Sequence, residues 1–198
     1  MGDHVHLPSE YDDEIWELAG DHPAPPPEHL VAFVRSLGPV GAALDLGCGD
    51  GLLTEQLRAD ELTIADVSSR ALARAKERLP AARSLELEPG AVLPLADVSF
   101  DLVLCVETIE HVQDVQGLLS EARRVLRPRG ALAVTTPAHG RATGLHILAR
   151  GFESVFDPLS PHLRFFSPRS LTRLLDGMGY DVESSRRVRG TLLVTARR

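Results

Sequence analysis

The stretch "ALDLGCGDGLLTEQL", Ala43–Leu57, decides how the chain is read. Apolar residues surround one acid, Asp45; Gly47, Gly49 and Gly51 then arrive within five positions, and a helical pattern follows over about 51–59. A buried strand that ends in backbone almost bare of side chains suits a ligand lying against main chain, because no Cβ stands in its way. A helix start just beyond would add amide donors and a positive dipole end.

Outward from this stretch the chain alternates. "LTIADV" reads as a second strand, Ser68 or Ser69 as the cap of a helix with Leu72, Ala75 and Leu79 on one face, and "SLELE" as a short strand. "FDLVLCVE" is an apolar strand of the kind found inside parallel sheets. Val115, Leu118, Leu119, Ala122, Val125 and Leu126 mark a helix ended by "RPRG", and "ALAVTTP" is the next strand. Ser167-Pro168 opens a helix with Leu171, Leu174, Leu175 and Met178; "YDVESSRRV" and "TLLVTARR" close the chain as strands. This order predicts an α/β fold, a doubly wound, mostly parallel sheet.

Two segments stand outside the alternation. Residues 1–27 carry a weak helical stripe (Tyr11, Ile15, Leu18, beside Trp16) and then the proline-rich "HPAPPPEHL"; they are expected to form an N-terminal lid. A helix with Leu30, Phe33, Val34 and Leu37 opens the main domain, 28–198. Residues 138–166 are too long for a plain strand-to-helix connection and are expected to be a lid insertion.

Composition bounds the function. The 198 residues are 43% hydrophobic and 25% charged, ordinary for one globular domain. The net charge of −7 disfavours a nucleic-acid partner. No apolar run is long enough to span a bilayer, and the acidic N-terminus does not resemble a signal peptide. Cys48 and Cys105 read as two reduced thiols, so a cytoplasmic location is expected.

In open α/β sheets ligands bind at the carboxyl ends of the strands. Asp66 ends the second strand, 19 residues after Gly47, where a carboxylate can accept hydrogen bonds from both hydroxyls of a ribose. The spacing G-x-G-x-G leaves no evident pyrophosphate grip, so a nucleoside without phosphates fits better.

At this point the chain resembles a known family. "LDLGCGDG", "IADVS", "LPLADVSFDLVLCVETIEHV" and "VLRPRGALAVTTP" are similar, in order, to the signature segments of class I S-adenosylmethionine-dependent methyltransferases. The resemblance implies a Rossmann-like seven-stranded sheet with a reversed last strand, S-adenosyl-L-methionine as cofactor and methyl transfer as the activity. It places Asp45, Gly47 and Glu107 near the methionine part of the cofactor, lets Gly49 and Gly51 admit its close approach, and puts Cys48 beneath it as a small side chain. Asp66 would take the ribose and Val67 the adenine, with Gly90 and Ala91 also against the cofactor. The segment "LEPGAVLP" departs from the family, since Pro89 stands where an Asp would bind the adenine amino group and Glu88 is next door. Arg129 replaces the commoner glycine of the "RPRG" turn, a change expected to be harmless in a surface loop.

Methyl transfer chiefly needs two reactants held in line, plus a base when the nucleophile is a hydroxyl. "VETIEHV" supplies the catalytic candidates His111 and Glu110. A sharper reading takes Glu107, Glu110, His111 and His162 as ligands of a divalent cation, an arrangement that resembles the RNA 3′-end 2′-O-methyltransferases. Three functions are therefore in play: a small-molecule methyltransferase, a metal-dependent RNA methyltransferase, and a cofactor-binding protein without catalysis. Charge favours the first, with no metal required. The arginines Arg186, Arg187, Arg189, Arg197 and Arg198 read as a solvated edge that could hold phosphates if gathered on one face.

Overall fold

The computed structural model describes residues 13, 16, 17, 24–152, 155, 156 and 162–198, with only the backbone of 141 and 142. The expected stripe residues Tyr11, Ile15 and Leu18 lie outside the described residues, whereas Asp13, Trp16 and Glu17 are helical.

The elements run α1 (Glu28–Arg35), β1 (Val40–Leu46), β2 (Ala59–Asp66), α2 (Ser69–Arg78), β3 (Arg83–Glu86), β4 (Phe100–Val106), α3 (Val115–Val125), β5 (Leu126–Pro137), α4 (Arg141–Arg150), α5 (Pro168–Gly177), β6 (Asp181–Val188) and β7 (Thr191–Arg197). The seven strands form one sheet in the order β3-β2-β1-β4-β5-β7-β6. β1 pairs in parallel with β2 on one side and β4 on the other, and β7 runs antiparallel to both β5 and β6. This is the doubly wound sheet with a reversed last strand read from the sequence.

Alternation along the strands divides the core between the two faces. Leu44, Val103, Cys105, Leu132 and Val134 join Leu119 and Val125 of α3 and Leu171 and Leu175 of α5. Ala43, Leu102, Leu104, Ala133 and Leu193 meet Leu30, Phe33 and Val34 of α1 on the other face. Each fully buried Leu or Val among them contributes roughly 1.5–3 kcal/mol. Tyr180 is buried in the first cluster and its hydroxyl donates to Leu119 O at 2.8 Å. Ser68 caps α2 by accepting from Ala71 N, and Ser167 caps α5 with Pro168 at the first helical position.

Two elements differ from the sequence reading. The helix expected over 51–59 is a single 3-10 turn, Thr54–Gln56. The reason is geometric: β2 already pairs at Ala59 with Val40, the first residue of β1. The return path must span β1, roughly 20 Å at the strand rise. Nine helical residues would cover only about 13 Å, so the chain has to stay more extended. The "RPRG" turn is a bulge inside β5: Phe100 faces Leu126 while Leu102 faces Ala131, so the chain bows outward between them. Arg129 there has φ 67°, a left-handed backbone that costs a non-glycine residue on the order of 1 kcal/mol. The exchange of glycine for arginine is exposed, as expected, but it carries that conformational cost.

Candidate functional site

The loops at the carboxyl ends of β1, β2, β4 and β5 lie at one end of the sheet. After β1, Gly47 N and Cys48 N donate to Ala65 O at 2.8 and 3.1 Å, tying the glycine loop to the end of β2. Gly47 has φ 77°, and a Cβ there would come within 2.4 Å of Thr108 Cγ2, the residue two beyond β4. A Cβ on Gly49 would stand 2.8 Å from the Trp16 ring. Gly51 also has positive φ. Cys48 is buried and its thiol is pushed far up by burial, which makes it inert, and both cysteines are free thiols.

Asp66 is 7% exposed and accepts from Gly49 N at 2.8 Å and Ser68 N at 2.9 Å, so one carboxylate fixes both the glycine loop and the entry to α2. Burial holds its pKa above the ordinary carboxylate value. Val67 beside it is half-buried. The N-terminal residues close on the same place: Asp13 accepts from the hydroxyls of Ser68 and Ser69 and from Arg70 N, and Glu17 lies 3.4 Å from the Arg70 guanidinium. Gly90 and Ala91 lie on an exposed turn in which Ala91 N donates to Glu88 O, and Glu88 is itself exposed.

Asp45 accepts from Thr54 Oγ1 at 2.6 Å with one oxygen, while its other oxygen is buried without a partner. Burial pushes its pKa up to about 7. Glu107 has φ 52°, strained backbone directly after β4; its Oε1 accepts from Thr135 Oγ1 at 2.7 Å. Burial raises its pKa, opposed by the nearby His162 and His29. Glu110 is 1% exposed, both carboxylate oxygens lack partners, and burial first, then the Glu107 charge, pushes its pKa up to about 8. Its carbonyl accepts from Leu163 N at 2.8 Å and Arg164 N at 3.0 Å.

Those two bonds bring His162 to His111, 51 positions before it in the chain, with ring centroids 4.9 Å apart. Glu110, His111 and His162 each offer a ligand atom within 4.8 Å of the others. Glu107 is not in that group, although its carboxyl is near His162. Two further histidines, outside the motifs above, stand here. His29 reaches Thr191 Oγ1 at 3.3 Å and influences Glu107. His139 has an unpartnered buried Nδ1 and stacks edge-on to Phe165 at 5.0 Å. Phe152, Phe156 and Phe165 continue this aromatic wall. No local pattern marks His29, because only the return of β7 brings Thr191 to it.

Buried polar atoms are nearly always paired. Here unpartnered atoms of Asp45, Glu110, Thr136 and His139 all sit at one end of the sheet, beside backbone stripped of Cβ atoms. The arrangement fits a nucleoside-bearing ligand with a cationic group: acceptors for hydroxyls at Asp66, a buried acid at Asp45, and a glycine cradle between them.

Comparison with known proteins agrees. The family description "Methyltransferase domain" matches residues 44–134. A ubiquinone biosynthesis O-methyltransferase of Idiomarina loihiensis is 32% identical over 142 residues, 67% of this chain and 58% of that protein. A probable S-adenosylmethionine-dependent methyltransferase of Mycolicibacterium smegmatis is 32% identical over 146 residues, 72% and 52% of the two chains. A malonyl-[acyl-carrier protein] O-methyltransferase of Enterobacter lignolyticus is 33% identical over 138 residues, 68% and 53%. The chain thus spans little more than half the length of these relatives. Among solved structures, the YcgJ protein of Bacillus subtilis superposes with TM-score 0.71 at 15% identity, over 87% of this chain and 99% of that one, a likeness of fold.

The buried acids set a pH dependence. Asp45 and Glu110 keep their protons in the folded chain up to about 7 and about 8 but release them near 4 when unfolded, so the folded state holds more protons in between. Stability of the ligand-free protein is therefore full below about pH 4 as far as these groups are concerned, and falls as pH rises towards 8. Asp45→Asn should flatten that decline and add on the order of 2–4 kcal/mol near pH 8. Denaturant unfolding of both proteins from pH 5 to 8 measures it; identical slopes would remove Asp45 as the cause.

Proposed function

The chain belongs to the class I S-adenosylmethionine-dependent methyltransferases, and from that premise we propose that it methylates a hydroxyl oxygen or an amine nitrogen of a small-molecule acceptor at the carboxyl ends of β4 and β5. The observation that carries this reading is the set of unpartnered buried polar atoms of Asp45, Glu110, Thr136 and His139 around the glycine loop. A core tolerates such atoms where a ligand supplies the partners.

When bound, S-adenosyl-L-methionine supplies an electrophilic methyl group on a cationic sulfonium. Asp66 would accept from its ribose, Asp45 and Glu107 would face the methionine end, Val67 would take the adenine, and Gly90 and Ala91 would border it. The protein then positions the acceptor. His111 would take the proton of the acceptor hydroxyl, with ligand atoms of Glu110 and His162 within 4.8 Å of its own. His139, Phe156 and Phe165 give the acceptor an apolar wall on one side. Residues 1–27 and 138–166 act as lids over this space, a role supported by Trp16 on Gly49 and by Asp13 on the start of α2.

A second reading is favoured by one observation, the gathering of Glu110, His111 and His162. A divalent cation there would ionise Glu110 and lower the pKa of a bound hydroxyl. The first reading needs no cation, because an imidazole can itself take the proton of a hydroxyl.

Three measurements test the proposal. Asp66→Ala should weaken cofactor binding by at least about tenfold in calorimetry, since each lost hydrogen bond to a charged acceptor is worth roughly 1.5–3 kcal/mol; unchanged affinity would end the ribose assignment. Methyl transfer assayed after exhaustive chelation should proceed at the original rate; loss of activity restored by magnesium, manganese or zinc, and abolished by His162→Ala, would replace the base with a cation. Removal of residues 1–20 should leave cofactor binding measurable but stop turnover, and a truncated protein working at full rate would show that the N-terminal segment is no lid.

A further inference from the structure

A cavity of about 580 Å³ opens at the other end of the sheet, at the amino ends of β1 and β4. It lies roughly 20 Å from the glycine loop, the length of β1. Four arginines line it, Arg127, Arg129, Arg186 and Arg197, against two acids, Asp101 and Glu183, so two positive charges are left over in a chain of net charge −7. The two acids are already engaged: Arg127 reaches both oxygens of Asp101 at 2.7 Å, and Arg197 lies 3.0 Å from Glu183. The guanidinium groups of Arg129 and Arg186 make no hydrogen bond or ion pair with another described residue, and both side chains are exposed. Ser184 and Thr195 add hydroxyls, while Leu37 and Val40 supply an apolar floor.

Arg129 is the unusual member. Its backbone sits at φ 67°, in the bulge of β5 where glycine would rest without strain. An arginine kept at a position that favours glycine points to a use for its side chain. The volume is within the range of small-molecule sites, and paired guanidinium forks match phosphate oxygens.

We propose that this cavity is a second ligand site, distinct from the methyl-transfer site, which takes a small molecule bearing a phosphate or pyrophosphate group between Arg129 and Arg186, with an apolar part over Leu37 and Val40. The arginines that the sequence scatters between positions 127 and 197 are thereby used together.

The probe is inorganic pyrophosphate, titrated into ¹⁵N-labelled protein at constant ionic strength with chloride as the balancing anion. The expected result is saturable shifts of the Gly130, Ala131, Ser184 and Thr195 amides. Arg186→Ala should weaken the response at least tenfold, and Arg129→Gly with Arg186→Ala should abolish it. Arg129→Gly alone should keep or raise the melting temperature, which separates loss of the ligand from loss of the fold. Non-saturable shifts, equal shifts with chloride, shifts confined to the glycine loop, or an undiminished response in the double variant would each overturn the proposal.

Discussion

The position of β1, with parallel neighbours on both sides, is the constraint on which the rest depends. The chain leaves β1 towards β2 and β3 and later returns to its other side as β4 and β5. Two windings in opposite directions leave a crevice at the carboxyl end of β1 that no crossover covers. The loop after β1 and the loop after β4 share its rim. Thr108 occupies the space a Gly47 side chain would need, and its hydroxyl donates to Val106 O at 3.1 Å and, at 3.4 Å, to Gly47 O. The two loops are thus locked to each other through one glycine and one threonine.

The crevice is also where the fold stores cost. Asp45 and Glu110 are buried carboxyls whose pKa values burial pushes up, and Glu107 holds a left-handed backbone. None of these choices helps the sheet, which would be served by apolar side chains at the same depth. They are compensated by strands that are apolar almost throughout, as in the run Leu102–Val106. A stable frame can carry an unfavourable centre.

Much of this was legible in the sequence. The glycine triplet after "ALDL" and Asp66 are local in character, and each strand of the parallel core announces itself by its apolar run. His111 and Glu110 are adjacent, so their joint appearance needed no fold. What could not be read depended on distance through space. "GLLTEQL" has helix-forming residues, yet β2 must start opposite Val40, and that long-range register overrides propensity. His162 reaches His111 where the Glu110 carbonyl holds Leu163 and Arg164, and the arginines of β5, β6 and β7 share a cavity because β7 inserts between its neighbours.

The carbonyl of Glu110 has one more consequence. It holds Leu163 and Arg164, while Ala138 bridges to Phe166 and His139 N donates to Phe166 O at 2.7 Å. Both ends of the stretch between 139 and 163 are therefore pinned to the rim of the crevice by backbone bonds that do not depend on side-chain identity. Such a stretch behaves as an interchangeable cassette. Its contents short of His162 can be exchanged in evolution or in the laboratory while the backbone anchors on Glu110 and Phe166 stay where they are.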